Sequence, residues 1–378
     1  MTTMRVIVDD LLAPTAGPAR YAYELTRSLI DFAPPGCFVE GVVSAFSDDD
    51  YATIARRLPG LTDLYKSGLA HRELAATWQH GFTRLPGGGL VHSPSLFAPL
   101  GRHDRVNDAG QQIVVTIHDV AAWTHPLTLS PKRVAWHKAM AKRAHKYADA
   151  VVVPTHAIAD QLAEIHDFGG RVQIIGGSVG STLRVPSDAD AVAERLGLPP
   201  VYLLAMGAYE SDDGIAQAFA ALALPGSPQI PLLVVSSEEA DGYALVTASM
   251  EAGLAEGRVR QLPRLDDAEL AVVLDRAELL LFPSLADGFA LPVLQAFHFG
   301  TPVVHSDAAS VLEVAADAGL AVPSGDAEAY PRLLADAVGR VLDDDALSTQ
   351  LGVYGRDRAG LFSWQTTAER IWQLHAEL

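Results

Sequence analysis

The segment that carries the most chemical information runs over residues 282–304. Its pattern predicts a buried strand, a loop containing Gly288, a helix with a proline in its first turn, and Gly300 just after the helix end. The amides at the start of this helix belong to Gly288, Phe289, Ala290 and Leu291. Amides at a helix N-terminus favour an anion such as a diphosphate. An ordinary strand–loop–helix turn without a ligand remains the alternative, because α/β domains contain several such turns.

A second candidate is His118, which follows an apolar strand pattern at Ile113–Ile117 and precedes Asp119. An imidazole at a strand end can accept or orient a hydroxyl group. The chain has 13 histidines, so a loop histidine without a role is the alternative. Cys37 has no neighbouring His or Asp to activate it, and we interpret it as a small buried hydrophobe.

Apolar, β-branched runs alternate with helical patterns along the whole chain, which indicates an α/β class with parallel sheets covered on both faces. The predicted strands are Met4–Val8, Phe38–Val43, Ile113–Ile117, Ala150–Val153, Val172–Ile175, Val201–Met206, Pro231–Val235, Val259–Leu262, Leu279–Phe282 and Pro302–His305. The predicted helices include Ala19–Phe32, Pro131–Tyr147, Thr155–Ile165, Gly214–Leu222 and Leu291–Phe299.

A proline-containing stretch over residues 179–200 predicts an interdomain linker near residue 183. We therefore expect an N-terminal Rossmann-like domain of residues 1–183 and a C-terminal one of residues 184–361, facing each other across a cleft. The terminal helix, residues 362–378, should cross back to the first domain.

Composition excludes several function classes. The net charge of −18 argues against nonspecific binding to nucleic acid. No stretch reaches the ~20 apolar residues of a membrane-spanning helix, and the start of the chain does not resemble a signal peptide. One cysteine excludes an intrachain disulfide and a zinc site built from cysteines, and it fits a reducing cytoplasm. All five lysines lie at or before Lys146, so the second half must bind its ligand without lysine.

The run Asp287-Gly-Phe-Ala-Leu-Pro292, followed by Gln295, resembles the signature of retaining glycosyltransferases of family four, usually Glu-Gly-Phe-Gly-Leu-Pro and then a second Glu. Gly17-Pro-Ala-Arg20 is similar to the family's Gly-(x)-Gly-Arg loop, and the likeness extends over nearly the whole chain. It implies a GT-B fold and transfer of a sugar from a nucleotide-sugar to an acceptor hydroxyl with retention. It implies neither a metal nor a cofactor, since the nucleotide-sugar is a substrate.

The resemblance also implies roles for individual residues. Asp287 would hold the donor sugar, Gln295 the nucleotide ribose, and His118 the donor sugar or the acceptor. Gly17 and Arg20 would form a loop over the donor diphosphate or the acceptor. The donor site would further include Gly207, Glu210, Ser284, Gly288, Phe289, Ala290 and Leu291. We expect His118→Ala and Asp287→Ala to lower turnover by orders of magnitude while changing stability by no more than about 1 kcal/mol.

The chain departs from the family pattern in the stretch 206–214. Family members typically carry an Arg and a Lys that bind the diphosphate, and this chain has Ala208 and Asp213 there, next to Glu210. A diphosphate would be repelled by these carboxylates rather than stabilised. Two alternatives remain: a misaligned loop, or an arginine (Arg258, Arg260 or Arg264) that reaches in from elsewhere. Ala290 in place of the usual second glycine would crowd a phosphate or forbid a positive φ.

These departures leave a second function open, that of a noncatalytic GT-B subunit or scaffold acting with a glycosyltransferase partner. A sugar phosphorylase is weaker still, because it too needs a basic phosphate site.

The helix predicted over residues 131–147 is basic. Lys138, Lys142 and Lys146 would share one face, while Val134, Ala141 and Ala144 face the core. That face could contact anionic lipid headgroups, as in relatives with lipid-linked acceptors, which would place the protein peripherally at the inner face of the membrane. A solvated helix surface is the alternative.

Overall fold

The computed structural model describes residues 2–12, 16–83, 85, 88–103, 110–207, 209, 213–236 and 242–378. The chain divides into two compact units. Unit 1 comprises Met1–Gly177 and Ser363–Leu378, and unit 2 comprises Ser178–Phe362. The division falls at Gly177 rather than near residue 183. Gly177 still belongs to unit 1 because it packs against the ring of Trp364, with no space for a larger side chain.

Each unit is built on a parallel sheet. The strands are β1 Thr2–Ile7, β2 Cys37–Ala45, β3 Asp63–Ala70, β4 Gly89–Ser93, β5 Gln111–Thr116, β6 Ala150–Val153, β7 Val172–Ile174, β8 Leu203–Met206, β9 Leu232–Val235, β10 Val259–Gln261, β11 Leu279–Phe282, β12 Val303–Ser306 and β13 Leu320–Val322. Within the described residues, the sheet of unit 1 has the order β3-β2-β1-β4-β5-β6-β7, and that of unit 2 has the order β10-β9-β8-β11-β12-β13. The recorded strand pairs are parallel, as the apolar runs predicted.

Helices connect the strands. They are α1 Ala16–Asp31, α2 Asp48–Arg57, α3 His71–His80, α4 Ala121–Thr124, α5 Pro131–Tyr147, α6 His156–Ile165, α7 Ala189–Arg195, α8 Ile215–Leu222, α9 Gly242–Glu251, α10 Asp267–Asp275, α11 Leu291–Phe299, α12 Ala309–Ala315, α13 Tyr330–Asp343, α14 Asp345–Ala359 and α15 Trp364–Glu377. None of the helices formed by the described residues is both long and apolar enough to span a bilayer.

The core explains why the strands read as continuous apolar runs. In β11 of unit 2, Leu279 and Leu281 pack into one hydrophobic cluster, whereas Leu280 and Phe282 pack into another on the opposite face of the sheet. Successive side chains of a strand point to opposite faces, so both faces of this sheet are covered.

The terminal helix α15 packs on unit 1. The indole of Trp372 donates a hydrogen bond to the carbonyl of Leu29 in α1 at 3.0 Å. Thr367 in the same helix donates to the carbonyl of Gly176 at 2.7 Å. The chain that leaves unit 1 after β7 therefore returns to it through α15.

Sequence patterns missed the polar and short elements. The edge strand β3 alternates between half-buried and exposed residues and contains Asp63 and Lys66, so it lacks the apolar run of a central strand.

The sequence pattern predicts that the first helix begins at Ala19, but α1 begins at Ala16. Gly17 and Arg20 therefore lie in the first turns of a helix, and the predicted loop is wrong at these positions. Proline is well tolerated in a first helical turn, which explains why Pro18 does not delay the start.

Candidate active site

The loop between β11 and α11 in unit 2 is fixed through its own carbonyl groups. Three hydroxyl groups donate hydrogen bonds to these carbonyls. Tyr330 donates to the carbonyl of Pro283 at 3.2 Å, Ser306 to that of Ser284, and Ser310 to that of Asp287. These donors come from α13, β12 and α12, later in the chain. No spacing in the sequence pointed to them, because single hydroxyl residues are too common to stand out. Side-chain hydroxyl groups from these later elements thus fix the backbone of the loop that resembles the family signature.

The Asp287 carboxylate binds backbone amides of the loop just before α11. Its Oδ1 accepts the backbone amide of Phe289 at 2.8 Å and that of Ala290 as well. Two of the four amides assigned to an anion are therefore engaged by this carboxylate in the structure. Asp287 has a conformational role at the helix start in addition to its predicted contact with the donor sugar.

Ala290 adopts a left-handed conformation, with φ of 48° and ψ of 44°, and is the N-cap residue of α11. The expectation that alanine forbids a positive φ here is wrong. An L-residue pays roughly 1–2 kcal/mol for this conformation, and the contacts of the surrounding loop outweigh that cost. The backbone geometry that glycine normally supplies is therefore retained with a methyl group in place, and that methyl group is fully buried.

The other signature residues lie in this loop and in α11. Ser284 is fully buried in the loop, and Gln295 is 3% exposed within α11. Gly288, Phe289 and Leu291 are half-buried. The predicted donor contacts of Ser284 and Gln295 stay predictions.

The loop after β8 approaches the loop after β11. Gly214 has a φ of 80°, and a side chain there would collide with the carbonyl of Pro283. Gly207, with a φ of 146°, lies against the side chain of Asp213. The carboxylate at the family's lysine position is thus held next to the end of β8. Ala208 and Glu210 lie outside the described residues.

Two of the three arginines that could replace the missing basic pair have structural roles. The guanidinium of Arg258 donates to acceptors in the segment 228–230, and that of Arg260 donates to the carbonyl of Leu196 at 3.2 Å. Arg264 is exposed after β10, the edge strand of this sheet. Both guanidinium groups are therefore engaged in structural hydrogen bonds, and neither replaces the missing basic pair as a ligand of the diphosphate.

In unit 1, His118 lies at the carboxyl end of β5. Its Nε2 is 2.7 Å from the carbonyl oxygen of Pro94, so Nε2 carries the proton and Nδ1 accepts hydrogen bonds when the ring is neutral. Burial lowers the pKa of His118, although the charges of Asp119 and Asp10 raise it. The ring packs edge-on against Tyr21 of α1 with 4.6 Å between centroids. A neutral imidazole with an accepting Nδ1 suits the hydroxyl of a sugar.

Sequence reasoning missed further residues at this edge of the unit 1 sheet. Asp9 and Asp10 follow β1, and His71 begins α3. The Asp9-Asp10 pair directly after the first strand was the signal that could have found them, because the carboxyl ends of parallel strands collect functional groups.

Two Rossmann-like units, each built on a parallel sheet with helices on both faces, are the architecture of the GT-B class of glycosyltransferase folds. Sucrose-phosphate synthase from Thermosynechococcus elongatus shares the fold at a TM-score of 0.73 and 21% identity, over 100% of this chain and 99% of that structure. Anabaena HepE in complex with UDP and glucose matches at a TM-score of 0.71 and 18% identity, over 100% of both chains.

The sequence matches two family models, one described as Glycosyltransferase Family 4 over residues 15–179 and one as Glycosyl transferases group 1 over residues 200–344. The chain therefore belongs to the glycosyltransferases that these two family models describe. O-antigen chain mannosyltransferase B from Escherichia coli is 25% identical, over 96% of this chain and 97% of that protein. A D-inositol 3-phosphate glycosyltransferase from Nocardioides sp. is 31% identical, over 59% of this chain and 52% of that protein.

Proposed function

We propose that this glycosyltransferase moves a sugar from a nucleotide-diphosphate sugar to an acceptor hydroxyl with retention, in glycan or glycolipid synthesis. The observation that carries the proposal is the rigid β11–α11 loop, which holds Asp287 and a left-handed Ala290 at a helix start. HepE, which shares the fold, was solved with UDP and glucose, which supports a donor of this class.

In the proposed reaction the bond between the sugar C1 and the diphosphate oxygen breaks, and the acceptor oxygen bonds to C1 on the same face. The acceptor proton leaves with the diphosphate, so no protein base and no cofactor is required. The amide dipoles at the start of α11 favour the charge that develops on the leaving group. Asp287 would bind a hydroxyl of the donor sugar, exchanging part of its bonding to the amides of Phe289 and Ala290. Neutral His118 would accept a hydroxyl of the donor sugar or of the acceptor through Nδ1.

Donor binding should be weak for this family. Asp213 stands where a lysine would offset diphosphate charge, and Arg258 and Arg260 are bound to carbonyls elsewhere. Asp213 leaves the noncatalytic-subunit alternative open, but the family membership favours the enzyme.

Calorimetry with uridine and guanosine diphosphates, followed by transfer assays across a panel of nucleotide-sugars, tests the proposal. His118→Ala should lower turnover by orders of magnitude, whereas His80→Ala, an exposed control at the far end of α3, should not. Equal turnover of wild type and His118→Ala would reject the site assignment. A wild type that binds no nucleotide and transfers no sugar would reject the function.

We also propose peripheral contact between α5 and anionic membranes, where a lipid-linked acceptor would be found. Lys138, Lys142 and Lys146 are exposed, while Ala141 and Ala144 are buried, and Leu127 shortly before the helix is 98% exposed. Cosedimentation with phosphatidylglycerol vesicles should exceed that with phosphatidylcholine, and replacement of the three lysines by glutamate should abolish the difference. Equal cosedimentation with both lipids would reject this contact.

A further inference from the structure

An aspartate–histidine pair lies at the carboxyl edge of the unit 1 sheet. The Asp9 carboxylate is 3% exposed and accepts the backbone amide of Ser44 at 3.1 Å and the Ser44 hydroxyl. Its Oδ1 lies 3.2 Å from Nδ1 of His71. A carboxylate accepts hydrogen bonds, so Nδ1 of His71 carries a proton and Nε2 is the nitrogen that can bind a ligand.

The imidazole of His71 is both oriented and accessible. Its ring stacks on the buried Phe97 with 4.4 Å between centroids and 26° between planes. Its side chain is nevertheless 48% exposed. The hydrogen bond to Asp9 raises the pKa of His71, and the charges of Asp9 and Asp10 raise it further. A ring that is fixed on one side and open on the other is suited to recognition rather than to core packing.

One short turn connects this pair with the predicted active-site histidine. The turn over residues 93–97 supplies the Pro94 carbonyl that holds His118 and the Phe97 ring that stacks on His71. The Ser95 side chain in the same turn hydrogen bonds the carboxyl group of Asp10. Asp10 follows β1, which pairs with β4, the strand that leads into this turn. Burial raises the pKa of Asp10, while a hydrogen bond from Ser95 and the charges of His118 and His71 lower it. His71, Asp10 and His118 thus form one side-chain cluster.

The charges of this cluster favour a neutral ligand. Any positive charge on His71 is already compensated by Asp9, and Asp10 adds a second carboxylate. A phosphate dianion would meet that carboxylate without an uncompensated cation among these residues. The hydroxyl groups of a sugar can instead accept from Nε2 of a protonated His71, or donate to it when the ring is neutral, and they can donate to Asp10 at little electrostatic cost.

Building on the transfer function proposed above, we propose that His71 and Asp10 bind hydroxyl groups of a neutral sugar acceptor. Asp9 fixes the imidazole that makes the contact, and Asp10 disfavours acceptors that carry a phosphate monoester.

Binding of acceptor analogues, measured by saturation-transfer NMR and calorimetry, tests this without any turnover. The probes are methyl glycosides of mannose, glucose, galactose and N-acetylglucosamine, each compared with the 6-phosphate of the same sugar. At least one neutral glycoside should bind about tenfold more tightly than its phosphate. His71→Gln should weaken binding of the neutral glycoside about tenfold. Asp10→Asn should reduce the ratio of the affinity for the neutral glycoside to that for its 6-phosphate. His80→Gln, on the same helix but about 13 Å away along its axis, is the matched control and should change neither.

Tighter binding of the phosphates, or unchanged binding of the neutral glycosides in His71→Gln, would overturn the proposal. Failure to detect any neutral glycoside on the wild type would overturn it as well. Donor hydrolysis without acceptor provides a separate readout, and the control variant His80→Gln should leave its rate within about twofold of wild type. If the wild type binds neutral glycosides through His71 but turns over no donor, the transfer function fails and the acceptor site stands.

Discussion

Asp287 should matter to folding as well as to catalysis, in contrast to the expectation from sequence. Asp287→Ala removes one acceptor from two amides at the start of α11. Hydrogen bonds to a charged group contribute about 1.5–3 kcal/mol, and half-buried amides that lose their acceptor can bind water only in part. We therefore expect a loss of about 2 kcal/mol in the free energy of unfolding of unit 2. Asp287→Asn keeps an acceptor oxygen and should lose no more than about 1 kcal/mol.

The chain contains a matched control for this prediction. Asp326 accepts the amides of Glu328 and Ala329 at 3.0 and 3.1 Å, in the same arrangement at the start of α13 in the same unit. Asp326→Ala should lose a similar stability but keep its turnover, whereas Asp287→Ala should lose both. Denaturant unfolding and transfer kinetics measure the two effects. An Asp287→Ala variant as stable as wild type would show that the hydrogen bonds from these two amides to Asp287 do not stabilise unit 2. A turnover loss in Asp326→Ala equal to that in Asp287→Ala would show that destabilisation, not chemistry, explains both.

Three further predictions follow from other residues. Ala208→Arg combined with Asp213→Lys should tighten binding of uridine or guanosine diphosphate by roughly 1–3 kcal/mol in calorimetry, and unchanged or weaker binding would contradict the assignment of that loop. Ala290→Gly should change stability by less than about 1 kcal/mol, because relief of the left-handed strain offsets the lost methyl group and the added freedom of the unfolded chain. Ala296→Gly in the same helix should cost about 2 kcal/mol, and equal losses in denaturant unfolding would argue against strain at 290. Burial lowers the pKa of His375 from 6.5 to about 4, so the unfolded chain binds this proton more readily and stability should fall as the pH drops from 6.5 to 4. The loss is on the order of 3 kcal/mol, and a slope in that window that His375→Gln leaves unchanged would contradict it.

Local patterns predicted the parts of the fold that depend on local physics. The helix predicted at Leu291–Phe299 begins and ends at those residues, with Gly300 left-handed at its end as expected. The fold class is confirmed, and so is the glycosyltransferase family. Burial and periodicity are readable from neighbours in sequence, which is why these predictions succeeded.

The predictions failed where distant segments meet. The contact between Asp9 and His71 depends on which strands are neighbours in the sheet, and no local spacing specifies that order. Asp287 accepts two backbone amides, and Ala290 has a positive φ, because hydroxyl groups of later elements hold this loop in place. Tertiary contacts of this kind override the conformational preference of a single residue.

The stereochemistry of the transferred sugar tests the central claim most directly. Proton NMR of the first product, recorded before any anomeric equilibration, reports whether C1 keeps the configuration of the nucleotide-sugar. Same-face transfer, as proposed for this enzyme, predicts that an α-linked donor gives an α-linked product. A β-linked product would contradict same-face transfer at this site.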